Sequence, residues 1–142
     1  MQFLRTLGLD QLIPNLKQPV LGICLGMQLL CEHSEEGDTN CLGIIPQQVK
    51  HFPNNGEDKV PHMGWNTLKH NDNPLFKNVN PTDYVYYVHS YYVELGQATI
   101  AQTDYILPFS AALQYNNFYA TQFHPEKSGD IGSKIIQNFI EL

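Results

Sequence analysis

One pentapeptide restricts the fold of this chain more than any other feature: Gly22-Ile23-Cys24-Leu25-Gly26, overlapping the apolar run Val20-Leu21-Gly22-Ile23. That run is short and shows no alternation, so it predicts a strand buried on both faces, as in parallel sheets. Met27 to Glu36 then predicts a helix, closed by Glu35-Glu36-Gly37. A strand passing into a helix through G-x-C-x-G has the form of a nucleophile elbow, where the reactive residue sits on a sharp, strained turn. Glycines two places either side remove β-carbons that would crowd the turn. The helix N-terminus favours thiolate over thiol. Read alone, Cys24 would be a small buried apolar residue; the strand and helix around it favour the nucleophile. Cys31, among Leu29 and Leu30, reads as core, and Cys41 follows a polar loop. Neither pairs with histidine at a zinc-ligand spacing, so no metal site and no cofactor is expected.

A thiol nucleophile needs a general base, and the base needs a group to hold its tautomer. Six histidines are available. His33, His51 and His70 lie in polar stretches and read as solvated. His62 falls in Val60-Pro61-His62-Met63-Gly64-Trp65-Asn66, and His89 in a tyrosine-rich strand. His124 has a carboxylate at a useful spacing at the end of a strand-like stretch, in Phe123-His124-Pro125-Glu126. In extended chain, residues i and i+2 point the same way, and Pro125 disfavours helix. The pair ends the apolar stretch Ala120 to Phe123, where α/β sheets carry their sites. With the elbow it completes a Cys24–His124–Glu126 triad.

Between these motifs the texture is mixed. Residues 2–13 have near-helical apolar spacing, stopped by Pro14. Leu42–Ile45, Val49–Phe52, Thr67–His70, Tyr84–Val93, Ala98–Gln102, Ser110–Gln114 and Phe118–Phe123 are β-like, and Ile131–Leu142 is an amphipathic helix. Pro53-Asn54-Asn55-Gly56 carries an Asn-Gly hairpin signal. With no repeat and no linker, residues 1–142 read as one mixed α/β domain. Eight Lys+Arg against 14 Asp+Glu give a net charge of −6, unsuited to phosphate backbones or anionic lipid. A base-stacking role for Tyr84, Tyr86, Tyr87, Tyr91 and Tyr92 is disfavoured for the same reason. The longest apolar run, Val20 to Met27, is far short of the ~20 residues of a membrane span. An odd number of cysteines, three, favours a reducing compartment. A cytoplasmic protein without nucleic-acid or membrane partners is expected.

Two segments, Pro19 to Leu30 and Ala120 to Ser128, resemble the signatures of class I (triad-type) glutamine amidotransferases. More narrowly, Leu42 to Pro46, Lys59 to Asn66 and Tyr87 to Tyr91 are similar to blocks in the glutaminase subunits of imidazole glycerol phosphate synthases. The resemblance implies a flavodoxin-like mixed sheet flanked by helices. It implies that Cys24 attacks the amide carbon of glutamine to form a thioester, that His124 relays the proton, and that Glu126 orients His124. The Leu25 N–H would be an oxyanion donor. Gln28, His89, Ser90 and Tyr91 would bind glutamine. His62, Met63, Trp65 and Asn66 would face the partner, a (β/α)₈ barrel cyclase/synthase subunit that receives ammonia in histidine biosynthesis. Trp65 could equally sit in the core.

The sequence departs from the family at Cys41 and Gln47, where glycine is usual; Gln47 would alter a turn. Family members also carry strand–helix units before the elbow strand, one with a glycine-rich loop supplying a second oxyanion donor. Each unit takes roughly 30 residues, so one or two are expected to be absent, leaving the elbow strand short of a neighbour. One lost donor costs about 10²–10³ in turnover, so this chain alone is expected to be a poor glutaminase. Two other readings fit the same residues: a Cys–His–Glu hydrolase of γ-glutamyl amides, or an inactive, truncated synthase-binding module.

Overall fold

The two central strands explain the layering. Pro108–Tyr115 and Phe118–Thr121 are buried along almost their whole length, which requires cover on both faces of their sheet. Side chains alternate across it: Leu113, Phe118 and Ala120 join one apolar cluster, while Phe109, Ala112 and Tyr119 join another. The computed structural model describes residues 1–142.

In chain order the elements are α1 (Gln2–Thr6), α2 (Leu9–Leu12), β1 (Val20–Ile23), α3 (Leu25–Leu30), β2 (Cys31–Ser34), β3 (Thr39–Asn40), β4 (Ile45–His51), β5 (His62–Thr67), β6 (Lys69–His70), β7 (Tyr84–His89), β8 (Tyr91–Val93), β9 (Thr99–Asp104), β10 (Pro108–Tyr115), β11 (Phe118–Thr121) and α4 (Gly129–Ile140). The principal sheet has the order β1-β11-β10-β9-β6, the second β3-β2-β4-β8, and β5 and β7 form a two-stranded ribbon. Only β1–β11 and β2–β4 are parallel pairs. One core cluster joins β10 and β11 to Met27 and Leu30 of α3, Ile45 and Val49 of β4, and Val93 of β8. The other joins the opposite face to Ile135 of α4, to Tyr87 of β7 and to Phe52 and Phe76. This is the mixed, helix-flanked α/β architecture expected. No helix is long and apolar enough to cross a membrane.

Several local expectations change. The strand Val20–Ile23 is only half-buried except at Gly22, because β1 has a strand neighbour on one side alone. The N-terminal helix divides at Gly8, whose left-handed φ of 69° ends one short helix and opens the next. The helix expected over Met27–Glu36 stops at Leu30: Cys31 to Ser34 pair with β4 and β3, and tertiary pairing overrides the helical propensity of that stretch. Cys31 is buried as expected, but in a strand. The Asn54-Asn55-Gly56 segment makes no hairpin. Asn54 and Asn55 accept from the backbone N–H groups of Gly56 and Asp58, folding the loop on itself, while β4 pairs with β8 and β5 with β7. Gln47 lies within β4, not in a turn. It is buried, donating to Glu94 O at 2.7 Å and accepting from Ala98 N at 3.1 Å.

Candidate active site

The parallel pair β1–β11 sets the site. Ile23 is in register with Thr121, and the Cys24 N–H donates to Thr121 O at 2.7 Å. Cys24 and the Gln122–Glu126 segment therefore emerge side by side at the carboxyl ends of neighbouring strands, where α/β sheets build clefts. Cys24 has φ 51° and ψ −104°, a left-handed conformation rare for a non-glycine residue and typical of strained functional positions. Gly22 permits the turn: a β-carbon there would come within 2.8 Å of the Gly26 carbonyl carbon and 2.9 Å of its oxygen. The symmetrical role expected of Gly26 is not found. A β-carbon on Gly26 would meet nothing within 4 Å, so only the upstream glycine is sterically required.

His124 leaves β11 with extended backbone, and Pro125 to Lys127 form a single 3₁₀ turn. Pro125 thus initiates a helical turn rather than prolonging a strand, because its fixed φ suits a first helical position. Within that turn His124 Nδ1 lies 2.7 Å from Glu126 Oε1. Nε2 is buried and without a hydrogen-bond partner. The turn is held at three further points. The His124 N–H donates to Tyr86 O at 2.9 Å. The Ser128 hydroxyl donates to His124 O at 2.6 Å and accepts from Tyr86 N–H at 2.9 Å. A β-carbon on Gly132 of α4 would overlap the Pro125 carbonyl oxygen, so α4 approaches this turn on a bare backbone. Nothing local in the sequence marks the roles of Ser128 and Gly132.

The thiol environment differs from the sequence expectation. Burial pushes the Cys24 thiol above its usual range, and the Leu25 backbone N–H pulls it down; the Glu126 charge raises it and the Gln122 side chain lowers it. A helix of six residues with its first turn half-covered does not outweigh desolvation. The side chain of Cys24 lies 4.0 Å from Val88 O and 3.7 Å from Gln122 Nε2.

A cleft of about 380 Å³ opens beside Cys24, lined by Leu25, Gln28, Glu36, Pro61, Val88, His89, Ser90 and Tyr91. All four expected substrate contacts thus border one cavity with the thiol, at a size suited to a small metabolite. Their availability differs. Gln28 is 6% exposed, and its Nε2 donates to Tyr91 O at 3.1 Å and to Gln122 Oε1 at 3.2 Å. Both ring nitrogens of His89 are engaged: Nδ1 with Tyr91 O at 2.7 Å and Nε2 with His62 Nδ1 at 3.1 Å. Glu36 supplies the only carboxylate on the cleft wall. In the sequence Glu36 looks like the end of a helix, but the helix does not extend so far. Gln122 lies in an apolar stretch; a polar side chain there was the available signal.

One residue expected at the partner surface faces inward instead. His62 is 3% exposed, its ring stacked on Tyr105 at 4.0 Å and on Tyr87 at 4.7 Å. It faces inward because β5 pairs in register with β7, opposing His62 to His89. Burial lowers His62 to a pKa of about 4 and His89 to about 3. Met63 and Trp65, by contrast, are 63% and 56% exposed on the outer face of the same strand. Asn66 is partly exposed and donates to Asp104 O at 3.0 Å. His33 pairs with Asp38, and His70 stacks on Phe76; neither approaches the cleft. No cluster of three or more His, Cys, Asp or Glu has a metal-binding arrangement.

Residues 5–142 match the profile of glutamine amidotransferase class-I. Over 143 residues the chain is 57% identical to imidazole glycerol phosphate synthase subunit HisH of Bacteroides thetaiotaomicron, covering 100% of this chain and 73% of that one. It is 47% identical over 142 residues to the subunit of the same name from Pasteurella multocida, covering 99% and 71%. Among solved structures, a crystal structure of a glutamine amidotransferase superposes with a TM-score of 0.70 at 15% identity, covering 99% of this chain and 70% of that one. A second, from Thermotoga maritima, superposes at 0.59 and 20% identity, covering 94% and 52%.

Proposed function

The chain belongs to the class I glutamine amidotransferase family, and on that premise we propose that it is the glutaminase subunit of an imidazole glycerol phosphate synthase. In this reading Cys24 Sγ attacks the side-chain amide carbon of glutamine while its proton passes to His124 Nε2. The C–N bond of the resulting tetrahedral intermediate breaks as His124 returns that proton to the departing nitrogen, and ammonia leaves. Water, deprotonated by the same imidazole, then cleaves the thioester to glutamate. The observation that carries the reading is the state of His124: Nδ1 is held by Glu126 at 2.7 Å, and Nε2 is buried and unengaged beside the strand end that bears Cys24.

The surrounding residues take supporting roles. Glu126 fixes the tautomer with the proton on Nδ1, leaving Nε2 as the base. The Leu25 N–H follows the nucleophile at the helix start, the usual place for an oxyanion donor. Glu36 offers a carboxylate to the α-ammonium of glutamine. Gln28, Ser90 and Tyr91 shape the wall, and His89 contributes through backbone and ring face because both its nitrogens are occupied. The exposed Met63 and Trp65 form the apolar part of the surface that meets a (β/α)₈ barrel cyclase subunit, with Asn66 at its margin. Such a patch on the outside of a two-stranded ribbon is what a partner surface requires. We place the protein in the cytoplasm with the biosynthetic enzymes it resembles.

The test is ammonia release from glutamine by the chain combined with the barrel subunit. Wild type releases glutamate and ammonia together, and Cys24→Ser loses turnover by three orders of magnitude or more, the scale on which a covalent nucleophile acts. Undiminished turnover by Cys24→Ser overturns the proposal.

A further inference from the structure

Gln122 is fully buried, 0% exposed. A buried primary amide must satisfy two N–H donors and a carbonyl oxygen or forfeit its desolvation cost. The partners of this one are residues of the cleft rather than core backbone: Oε1 accepts from Gln28 Nε2 at 3.2 Å, and Nε2 faces Cys24 Sγ at 3.7 Å. We infer that Gln122 is a positioning residue that ties the nucleophilic thiol to the Gln28 wall of the glutamine cleft. The inference rests on the reading of Cys24 as nucleophile given above.

The orientation of the amide follows from a chain of obligatory donors and acceptors. The Tyr91 carbonyl can only accept, so the Gln28 atom facing it at 3.1 Å is its NH₂ group. The same NH₂ meets Gln122, so the Gln122 atom there is the oxygen. The NH₂ group of Gln122 is then turned toward sulfur, where it donates. An N–H donor binds a thiolate more strongly than a thiol, so Gln122 opposes the desolvation of Cys24 while fixing the direction of Sγ. Its own place is set from the backbone, where the Gln122 N–H donates to Ala111 O at 2.8 Å. A satisfied core glutamine would need none of these site partners.

The experiment follows alkylation of Cys24 by iodoacetamide in the full chain against pH, read by mass spectrometry of the Cys24 peptide, with Cys41 as internal reference. Gln122→Met keeps the length but removes donor and acceptor. The thiolate-dependent rate at pH 7.5 should fall about 3–10-fold, equivalent to half to one unit in thiol pKa, while Cys41 is unchanged. Glutamine should also protect Cys24 less well, because Gln28 loses its partner. Gln122→Glu keeps an acceptor for Gln28 but sets a carboxylate against sulfur. It should slow alkylation at least as much as Gln122→Met, with protection by glutamine closer to wild type. If Gln122→Met does not fold, Gln122→Glu carries the thiol reading alone. A purely structural glutamine would lower melting temperature in these variants and leave the Cys24 pH profile in place; that result overturns the inference. Failure of the nucleophile reading shows separately, as retained glutaminase activity in Cys24→Ser.

Discussion

His124 and Glu126 meet at 2.7 Å through a single 3₁₀ turn that Pro125 begins. The contact uses Nδ1 and leaves Nε2 enclosed by protein without a hydrogen-bond partner. His124→Asn removes the base and should lower glutamine turnover by about 10²–10⁴-fold. Glu126→Gln keeps the shape, allows the wrong tautomer, and should give a smaller loss in the same direction. Steady-state glutaminase assays with the barrel subunit present check both, and a Glu126→Gln enzyme faster than wild type would contradict the assignment.

The two glycines of the elbow should behave differently. Gly22→Ala places a β-carbon 2.8–2.9 Å from the Gly26 carbonyl, and overpacking of this kind costs about 1–3 kcal/mol. Gly26→Ala meets open space within α3, where alanine is preferred by about 0.5–1 kcal/mol. Urea midpoints should therefore fall for Gly22→Ala and hold or rise for Gly26→Ala. Equal losses would mean that the turn is not governed by this contact.

Gly132 packs the helix that follows against the His124–Glu126 turn. In Gly132→Ala the new methyl overlaps the Pro125 carbonyl oxygen, so α4 or the His124–Glu126 turn must move. We expect lower thermal stability together with a loss of turnover larger than KM changes explain, measured on the same preparation. A variant with wild-type turnover and stability would show that the two elements are loosely packed.

The buried imidazoles make stability depend on pH. His62 and His89 titrate near 4 and 3 when folded, below the ~6.5 of an unfolded histidine. The unfolded chain therefore takes up protons first as pH falls. Their neutral burial is fully tolerated above about pH 6.5 and costs stability progressively down to about pH 4–3. Urea midpoints should decline from pH 7 to 4.5, and more shallowly in His62→Phe, whose ring can still stack on Tyr105. An identical slope in that variant would locate the dependence elsewhere.

The elbow at Cys24 and the His124–Glu126 turn were legible because they depend on local backbone chemistry. A strand, a glycine-framed cysteine and a His-Pro-Glu segment say where they sit with few long-range contacts. What was not legible depended on pairing. Cys31 to Ser34 have helical neighbours in sequence but become a strand because β4 lies alongside. His62 looked like a surface residue until its register with His89 turned it inward, while Met63, one residue on, points out. Gln47 read as a loop substitution because nothing local reveals its bonds to Glu94 and Ala98. Gln122 was hidden for the converse reason: it follows the buried strand β11, and only the third dimension brings Cys24 and Gln28 to its side chain.

In the proposed reaction Cys24 is the residue that bonds to glutamine, with His124 as its base. That assignment is tested most directly by intact-mass and peptide analysis after exposure to a diazo-ketone analogue of glutamine, with the barrel subunit bound. One adduct per chain is expected, on Cys24, suppressed by excess glutamine and strongly slowed in His124→Asn. An adduct on Cys41, or a Cys24 adduct indifferent to both glutamine and His124, would contradict it.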